Sequence, residues 1–214
     1  MADREPSGSA SGVAAPLTVR IMALTGGPGG GKSTLLARLR GGGLGPFRVL
    51  TLEEAIHGMR FVRLDPRTEA FQCALVAVQT ATENLARQIL AGGPPAVILT
   101  HRGTLDPCAF WQTFGHSEES FHEMTRTTRT DHYARYAAVL HLESAAVRAP
   151  AHYLRYPDAH RPESVAEAAR LDGLLGELWG GHPRYRFVAA RESLEKKMDE
   201  AMAVLEREVG WAES

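Results

Sequence analysis

The sequence has little net charge, few cysteines and no long apolar run, and each shortage argues against a class of protein. Its 214 residues carry a formal net charge of −1, which argues against a general binder of nucleic acid or of membrane surfaces. No apolar run reaches the roughly 18 residues that a transmembrane segment needs. Residues 1–15 lack the apolar core of a signal peptide, so we expect a cytoplasmic protein.

Residue types that bind metals or form disulfides are either scarce or scattered. The two cysteines, Cys73 and Cys108, lack metal-ligand spacing, and we interpret both as free thiols. The nine histidines include no H-E-x-x-H pair, and we predict no zinc site. A hydrophobic content of 44% and a charged content of 23% are ordinary for a globular protein of one α/β domain.

One of the three lysines lies in a glycine-rich stretch that matches the P-loop pattern G-x-x-x-x-G-K-[ST]. Glycines let backbone N–H groups form a nest for phosphate oxygens. The lysine supplies a charge to the β- and γ-phosphates, and the serine offers a hydroxyl to Mg²⁺. We therefore predict that ATP or GTP binds with Mg²⁺ here, through Gly26, Gly27, Pro28, Gly29, Gly30, Gly31, Lys32, Ser33 and Thr34.

Strands and helices are predicted to alternate along the chain. The predicted strands are residues 18–24, 47–52, 96–100, 137–142 and 185–189. The predicted helices are residues 32–39, 67–91, 105–114, 162–179 and 193–209. This order predicts a three-layer α/β P-loop NTPase fold, with a central parallel five-stranded sheet and helices on both faces. We assign residues 18–210 to this single domain and residues 1–17 to a disordered tail.

Two segments carry more specific expectations. In the long helix, apolar residues recur at helical spacing and predict its buried face: Phe71, Leu75, Val78, Leu85 and Ile89. The polar segment 115–130 is interpreted as an exposed insertion with one short helix.

Polar side chains follow the predicted strands where a parallel sheet binds its ligands. Glu54 follows the second strand and could accept the proton of a substrate hydroxyl or hold Mg²⁺. Arg102 follows the third strand and could stabilise a phosphoryl group in transfer. Asp106 could bind substrate or Mg²⁺, or cap a helix. Arg155 and Arg161 flank an irregular segment that could form a phosphate-clamping lid.

The motifs together resemble the AAA-type P-loop domain family related to nicotinamide-riboside kinase and to the photoreceptor translocation-defect protein of flies. That family carries T-G-G-P-x-G-G-K-[ST], matched here by Thr25 to Ser33. Further matches are the glutamate after strand two, the R-G-x-x-D after strand three, and W-x-G-H-P, at Glu54, Arg102–Asp106 and Trp179–Pro183. The resemblance implies a kinase-like fold with a lid segment, which uses a nucleotide and Mg²⁺.

Two positions depart from the family's pattern. His101 stands where the family has an aspartate that resembles a Walker-B acid, and Val188-Ala189-Ala190 replaces I-D-N. Either Glu54 and Asp106 hold the metal here, or catalysis is weakened or lost.

Two principal hypotheses follow. The first is a phosphotransferase that moves a γ-phosphate to a hydroxyl of a small-molecule acceptor, with Lys32, Glu54, Arg102, Asp106, Arg155 and Arg161 as catalytic candidates and Ser33 and Glu54 as metal ligands. The second is a nucleotide-binding regulatory or adaptor protein with weak or no transfer. An NTPase motor is a weaker third, because the sequence has no recognisable second acidic motif or arginine-finger segment. Nothing in the sequence supports the possibility of a homo-oligomer.

Overall fold

The sheet is parallel across the five predicted strands and gains one short strand. The computed structural model describes residues 19–40, 42–59, 64–155 and 163–210. The strands within these residues are β1 Val19–Thr25, β2 Gly43–Leu44, β3 Phe47–Leu52, β4 Ala96–His101, β5 Ala138–Leu142 and β6 Tyr185–Val188. These six strands form one sheet in the order β2-β3-β4-β1-β5-β6.

The five predicted strands are parallel to their neighbours, as expected. The prediction of five strands was incomplete, because β2 pairs antiparallel with β3 at the edge of the sheet. A two-residue strand has too little pattern of its own to be predicted, since it depends on a neighbour for its hydrogen bonds.

Helices connect the strands and cover both faces of the sheet. Their bounds are α1 Lys32–Leu39, α2 Ala55–Gly58, α3 Glu69–Leu90, α4 Asp106–Thr113, α5 Glu118–Thr125, α6 Arg129–Ala134, α7 Ala145–Arg148, α8 Pro150–Arg155, α9 Val165–Trp179 and α10 Leu194–Gly210. None of the helices in the described ranges has both the length and the apolarity needed to cross a membrane.

Two apolar layers sandwich the sheet, because alternate residues of each strand point to opposite faces. In β1, Ile21 and Ala23 pack into one layer with residues of α3, α4, α5 and α9. Met22 and Leu24 pack into the other layer with residues of α1 and α10. The three-layer α/β architecture is therefore confirmed.

The predicted apolar face of α3 was wrong in its second half. Leu85 is 56% exposed and Ile89 is 70% exposed, whereas Glu83 on the neighbouring face is fully buried. The Glu83 carboxylate accepts hydrogen bonds from Tyr136 Oη (2.7 Å) and from Arg135 Nη2 (2.7 Å). A buried carboxylate is stable when it is paired in this way, and periodicity based on apolar residues cannot detect it.

The segment 115–130 is not an exposed insertion with one helix. It contains α5 and the start of α6, and the ring of Phe121 is fully buried in the core.

The start of α9 also differs from the prediction. Ser164 and Glu167 form a capping box that begins the helix at Val165, while Pro162 lies outside the described residues.

Candidate functional site

The carboxyl ends of β3, β4, β1 and β5 meet at one edge of the sheet. Leu24 pairs with His101, and Thr25 pairs with His141. The glycine-rich loop leaves β1 at this edge. A Cβ atom on Gly26 would lie 2.2 Å from the carbonyl oxygen of Leu142, and one on Gly30 would lie 2.4 Å from it. Both positions require glycine, because the loop backbone lies directly against the end of β5.

Lys32 lies under this loop and faces its carbonyl groups. Its Nζ donates to Gly26 O (2.6 Å) and Gly27 O (3.0 Å), and the residue is only 5% exposed. Burial lowers its pKa to about 7, and the positive charge of Arg102 contributes to the lowering. The lysine is therefore held at the loop at a cost in free energy, which an incoming anion would reduce.

Glu54 and Arg102 form an ion pair beside the loop. Arg102 Nε donates to Glu54 Oε1 (2.5 Å), and Arg102 Nη1 lies 3.5 Å from Gly26 O. Burial is the largest influence and acts to raise the pKa of Glu54. The charge and hydrogen bond of Arg102, with smaller contributions from His101 and Lys32, together outweigh it and bring the pKa to about 2. Glu54 is therefore ionised at neutral pH.

The conformation of Arg102 is unusual and well supported. Its φ of 75° lies in the left-handed region, which a residue with a side chain rarely occupies. Its amide donates to Leu24 O (2.9 Å). The guanidinium lies 4.9 Å from the centre of the Phe110 ring and 3.4 Å from Asp106 Oδ2. Strained residues persist only where their surroundings hold them in place, and here the contacts direct the guanidinium towards Glu54 and the loop.

Asp106 is fully buried, and both of its carboxylate oxygens are engaged. It accepts from Thr25 Oγ1 (3.0 Å), from the Gly103 amide (3.2 Å) and from Trp179 Nε1 (2.8 Å), in addition to Arg102. These four donors take up the roughly four acceptor sites that a carboxylate offers. The geometry favours a role in positioning Arg102 over direct contact with a substrate or metal.

His101 ends β4 between the loop and Glu54. Its Nε2 lies 3.1 Å from Ser33 Oγ, and its Nδ1 lies 3.6 Å from Glu54 Oε2. The residue is 8% exposed. Burial lowers its pKa to about 3, and the charge of Lys32 adds to the effect, so the imidazole is neutral.

The hydroxyl of Ser33 and the carboxylate of Glu54 provide oxygen atoms, which are the donors that Mg²⁺ prefers. The described residues contain no group of three or more His, Cys, Asp and Glu that could hold a metal ion. This donor set fits a cation that takes its remaining ligands from phosphate and water, as Mg²⁺ bound with a nucleotide does.

Several residues that the sequence analysis did not single out hold the loop in place. Asp172 Oδ1 accepts from the amides of Gly27 (2.6 Å) and Ser144 (2.9 Å). Lys197 Nζ donates to Gly30 O (2.6 Å) and Glu143 O (2.5 Å), and burial lowers its pKa to about 8. The rarity of lysine was a signal that could have identified Lys197. Asp172 ends the stretch Ala168–Asp172, which matches a further motif, A-x-x-L-D, of the family that the sequence resembles.

The remaining predicted residues lie apart from this group or cannot be placed. Thr34 is exposed in the first turn of α1. Arg155 is the last residue of α8, and its side chain lies outside the described part of the chain. Arg161 also lies outside the described residues, and the lid segment therefore stays a prediction.

A cleft opens beside the Glu54–Arg102 pair and contains about 560 Å³ of empty space, its mouth included. Three phenylalanines and several other apolar residues line it, together with two glutamines: Phe71, Phe110, Phe114, Ala55, Ile56, Leu75, Pro66, Pro107, Gln72 and Gln79. Glu54 and Arg102 form its charged part. Among the described residues that line the cleft, the charged ones therefore lie towards the loop.

The glycine-rich loop, its lysine and the surrounding parallel sheet define a P-loop protein. A family described as an AAA domain matches residues 21–197, and the chain belongs to this family. No curated protein sequence matches the chain. Among solved structures, the deoxyadenosine kinase from M. mycoides, with products dCMP and dCDP bound, is similar with a TM-score of 0.55 and 14% identity. The similarity covers 86% of this chain and 98% of that one, and it shows a common P-loop nucleoside kinase fold.

Proposed function

We propose that this protein is a P-loop kinase that transfers the γ-phosphate of ATP or GTP to a hydroxyl group of a small molecule bound in the cleft. The observation that carries the proposal is the place of the Glu54–Arg102 pair. The pair lines the cleft, and Arg102 also lies 3.5 Å from the carbonyl oxygen of Gly26 in the loop. A phosphate on the loop and a hydroxyl in the cleft would therefore meet beside these two side chains.

Glu54 is the group that takes the acceptor's proton. The proton passes to its carboxylate as the acceptor oxygen bonds to the γ-phosphorus and the bond to the bridging oxygen of the β-phosphate breaks. The low pKa of Glu54 makes it a weak base. A phosphoryl transfer through a loose transition state needs little base strength, so the main contribution of Glu54 is to orient the hydroxyl.

Lys32 and Arg102 stabilise the negative charge of the phosphoryl group. Both are held before a ligand arrives, Lys32 by the carbonyls of Gly26 and Gly27 and Arg102 by Glu54 and Asp106. Because these cations are already in place, they need little rearrangement during the reaction. Such preorganisation is the main source of electrostatic stabilisation of a transition state. We propose that Arg155 and Arg161 add to this charge from a lid, as the sequence predicts. When Mg²⁺ is bound, Ser33 and Glu54 would hold it, and it would neutralise charge on the phosphates.

The lining of the cleft supports an uncharged acceptor with a planar ring. The rings of Phe71, Phe110 and Phe114 suit a flat apolar group. The guanidinium of Arg102 is already balanced by Glu54 and Asp106, and no other cationic residue is among the described residues that line the cleft. Within the described part of the lining, nothing else would balance the charge of an acceptor that already carries a phosphate.

Gln72 supports an acceptor that carries an N–H donor. The residue is 2% exposed and lines the cleft. Its Nε2 donates to Pro66 O (2.6 Å), which fixes the orientation of the amide because a carbonyl can only accept. Its buried Oε1 has no hydrogen-bond partner within the described ranges. Deoxyadenosine kinase shares this fold, and the nucleoside in its name carries a planar ring. A nucleoside-like acceptor is consistent with the cleft.

The second candidate is a nucleotide-binding regulatory protein with little or no transfer. The neutral His101 favours it, because the ring brings no negative charge to a position where the resembling family has an acid. The regulatory protein would bind nucleotide at the same site as the kinase. It would differ in transferring little or no phosphate to a molecule in the cleft.

The experiment is a transfer assay with γ-labelled ATP and GTP against a panel of hydroxylated metabolites, nucleosides included. For Glu54→Gln, which keeps the shape and removes the charge and the proton acceptor, we expect transfer to fall by about 10²- to 10⁴-fold, while nucleotide affinity measured in EDTA, where no metal is bound, changes little. Lys32→Ala serves as the control that should remove all transfer.

Label transfer that survives Lys32→Ala would refute the mechanism. Tight nucleotide binding by calorimetry, with no transfer to any acceptor of the panel, would favour the regulatory candidate.

A further inference from the structure

The neighbours of His101 determine which ring nitrogen carries its proton. Nδ1 faces the Glu54 carboxylate at 3.6 Å, which is itself paired with Arg102, and Nδ1 has no hydrogen-bond partner among the described residues. A lone pair on Nδ1 would be repelled by that carboxylate, whereas an N–H would be attracted to it. A neutral imidazole protonated on Nδ1 has its lone pair on Nε2. That lone pair faces Ser33 Oγ at 3.1 Å.

The direction of the Ser33–His101 hydrogen bond follows from this tautomer. Nε2 accepts, so the hydroxyl of Ser33 donates its hydrogen to His101. The two lone pairs of Ser33 Oγ then point away from the ring and remain free to bind a cation. A hydroxyl that instead turned its hydrogen outward would oppose a cation at the same place.

We infer that His101 is a positioning residue for Mg²⁺, which orients the hydroxyl of Ser33 as a metal ligand by accepting its hydrogen. The residue does what a carboxylate could do for the hydroxyl, but without adding a negative charge. The cation is therefore held mainly by the phosphates of the nucleotide, and the nucleotide-free protein binds it weakly. This inference rests on nucleotide binding at the P-loop, which both candidate functions share, and it does not depend on phosphoryl transfer.

The variants differ in whether an acceptor remains near Ser33. His101→Gln can place an amide oxygen near the position of Nε2, because the glutamine side chain is long enough to reach it. His101→Leu fills similar space and offers no acceptor. His101→Asp restores a carboxylate and adds a negative charge.

The experiment is isothermal titration of wild type and variants with ATP and with GTP, in EDTA and in excess Mg²⁺. We expect His101→Leu to keep its affinity in EDTA and to lose about 10- to 100-fold of the gain that Mg²⁺ gives, which is the usual effect of removing a partner of a metal ligand. His101→Gln should retain most of that gain. A separate titration of nucleotide-free protein with Mg²⁺ should show stronger binding for His101→Asp than for wild type.

Binding in EDTA also shows that each variant is folded. The inference is overturned if His101→Leu keeps the full gain from Mg²⁺, or if His101→Gln loses as much of it as His101→Leu. A wild-type protein that binds neither nucleotide in either condition would refute the proposed function itself, which separates the two failures.

Discussion

Replacing Lys32 by methionine should stabilise the protein in the absence of nucleotide at pH 6. The side chain is 5% exposed, and burial has lowered its pKa from 10.5 to about 7. The folded protein therefore binds fewer protons than the unfolded chain between pH 7 and pH 10.5. Stability contributed by this group rises with pH across that window and is at its lowest below pH 7. Methionine has a similar shape and no charge to bury.

The magnitude follows from the size of the change in pKa. The pKa of Lys32 is about 3.5 lower in the folded protein than in the unfolded chain, which corresponds to about 5 kcal/mol of destabilisation at pH 6. The substitution also removes two hydrogen bonds and leaves the carbonyls of Gly26 and Gly27 short of a donor, which costs about 3 kcal/mol together. The expected net gain is about 2 kcal/mol, or a rise in Tm of about 4–8 °C for a domain of this size.

The sign of the effect should reverse at high pH. Near pH 10 the unfolded lysine is itself partly neutral, so that only about 1 kcal/mol of the burial cost remains. The lost hydrogen bonds then dominate, and Lys32→Met should melt below wild type.

The assay is thermal unfolding of wild type and Lys32→Met from pH 6 to pH 10, without nucleotide. Lys196, which is exposed on the neighbouring helix, provides the matched control, and Lys196→Met should follow wild type at every pH. The reasoning is refuted if Lys32→Met is less stable than wild type at pH 6, or if the difference between them does not change with pH.

Three further substitutions test the packing around the site. Gly103→Ala should cost about 1–3 kcal/mol, because its Cβ would lie 2.6 Å from the ring of Trp179; urea unfolding measures this, and an unchanged midpoint would contradict it. Gly173→Ala is the contrasting case. Gly173 lies inside α9, and beyond the backbone of its own helix nothing lies within 4 Å of the added Cβ, so a gain of about 1 kcal/mol is expected in the same assay. Arg135→Met should cost about 3–5 kcal/mol, because it leaves the fully buried Glu83 carboxylate without its cation. The double variant with Glu83→Gln should recover part of that loss, and no recovery would show that the charge was not the cause.

Local patterns were enough to predict the elements that carry their own signal. The five parallel strands are short apolar runs, and the P-loop is a spaced set of residue types whose chemistry is fixed by the phosphates it binds. The positions of Glu54, His101 and Arg102 at strand ends followed from chain order, because parallel strands direct their carboxyl ends to one edge.

Relations between distant residues could not be predicted in this way. The buried face of α3 depends on the ion pair between Glu83 and Arg135, which are distant in sequence. The short strand β2 depends on its pairing with β3. Lys197 and Asp172 reach the loop from α10 and α9, and no local pattern shows which loop a helix will approach.

The sequence by itself determined that the chain has a phosphate-binding loop on a parallel α/β sheet, since glycine spacing and strand hydrophobicity act over a few residues. The tertiary structure decided the state of the charges around that loop. Lys32 has a lowered pKa because it is buried, Glu54 is ionised because Arg102 is beside it, and Asp106 is engaged because four donors converge on it. Electrostatic energies depend on distance and on exclusion of water, and only the folded chain sets both.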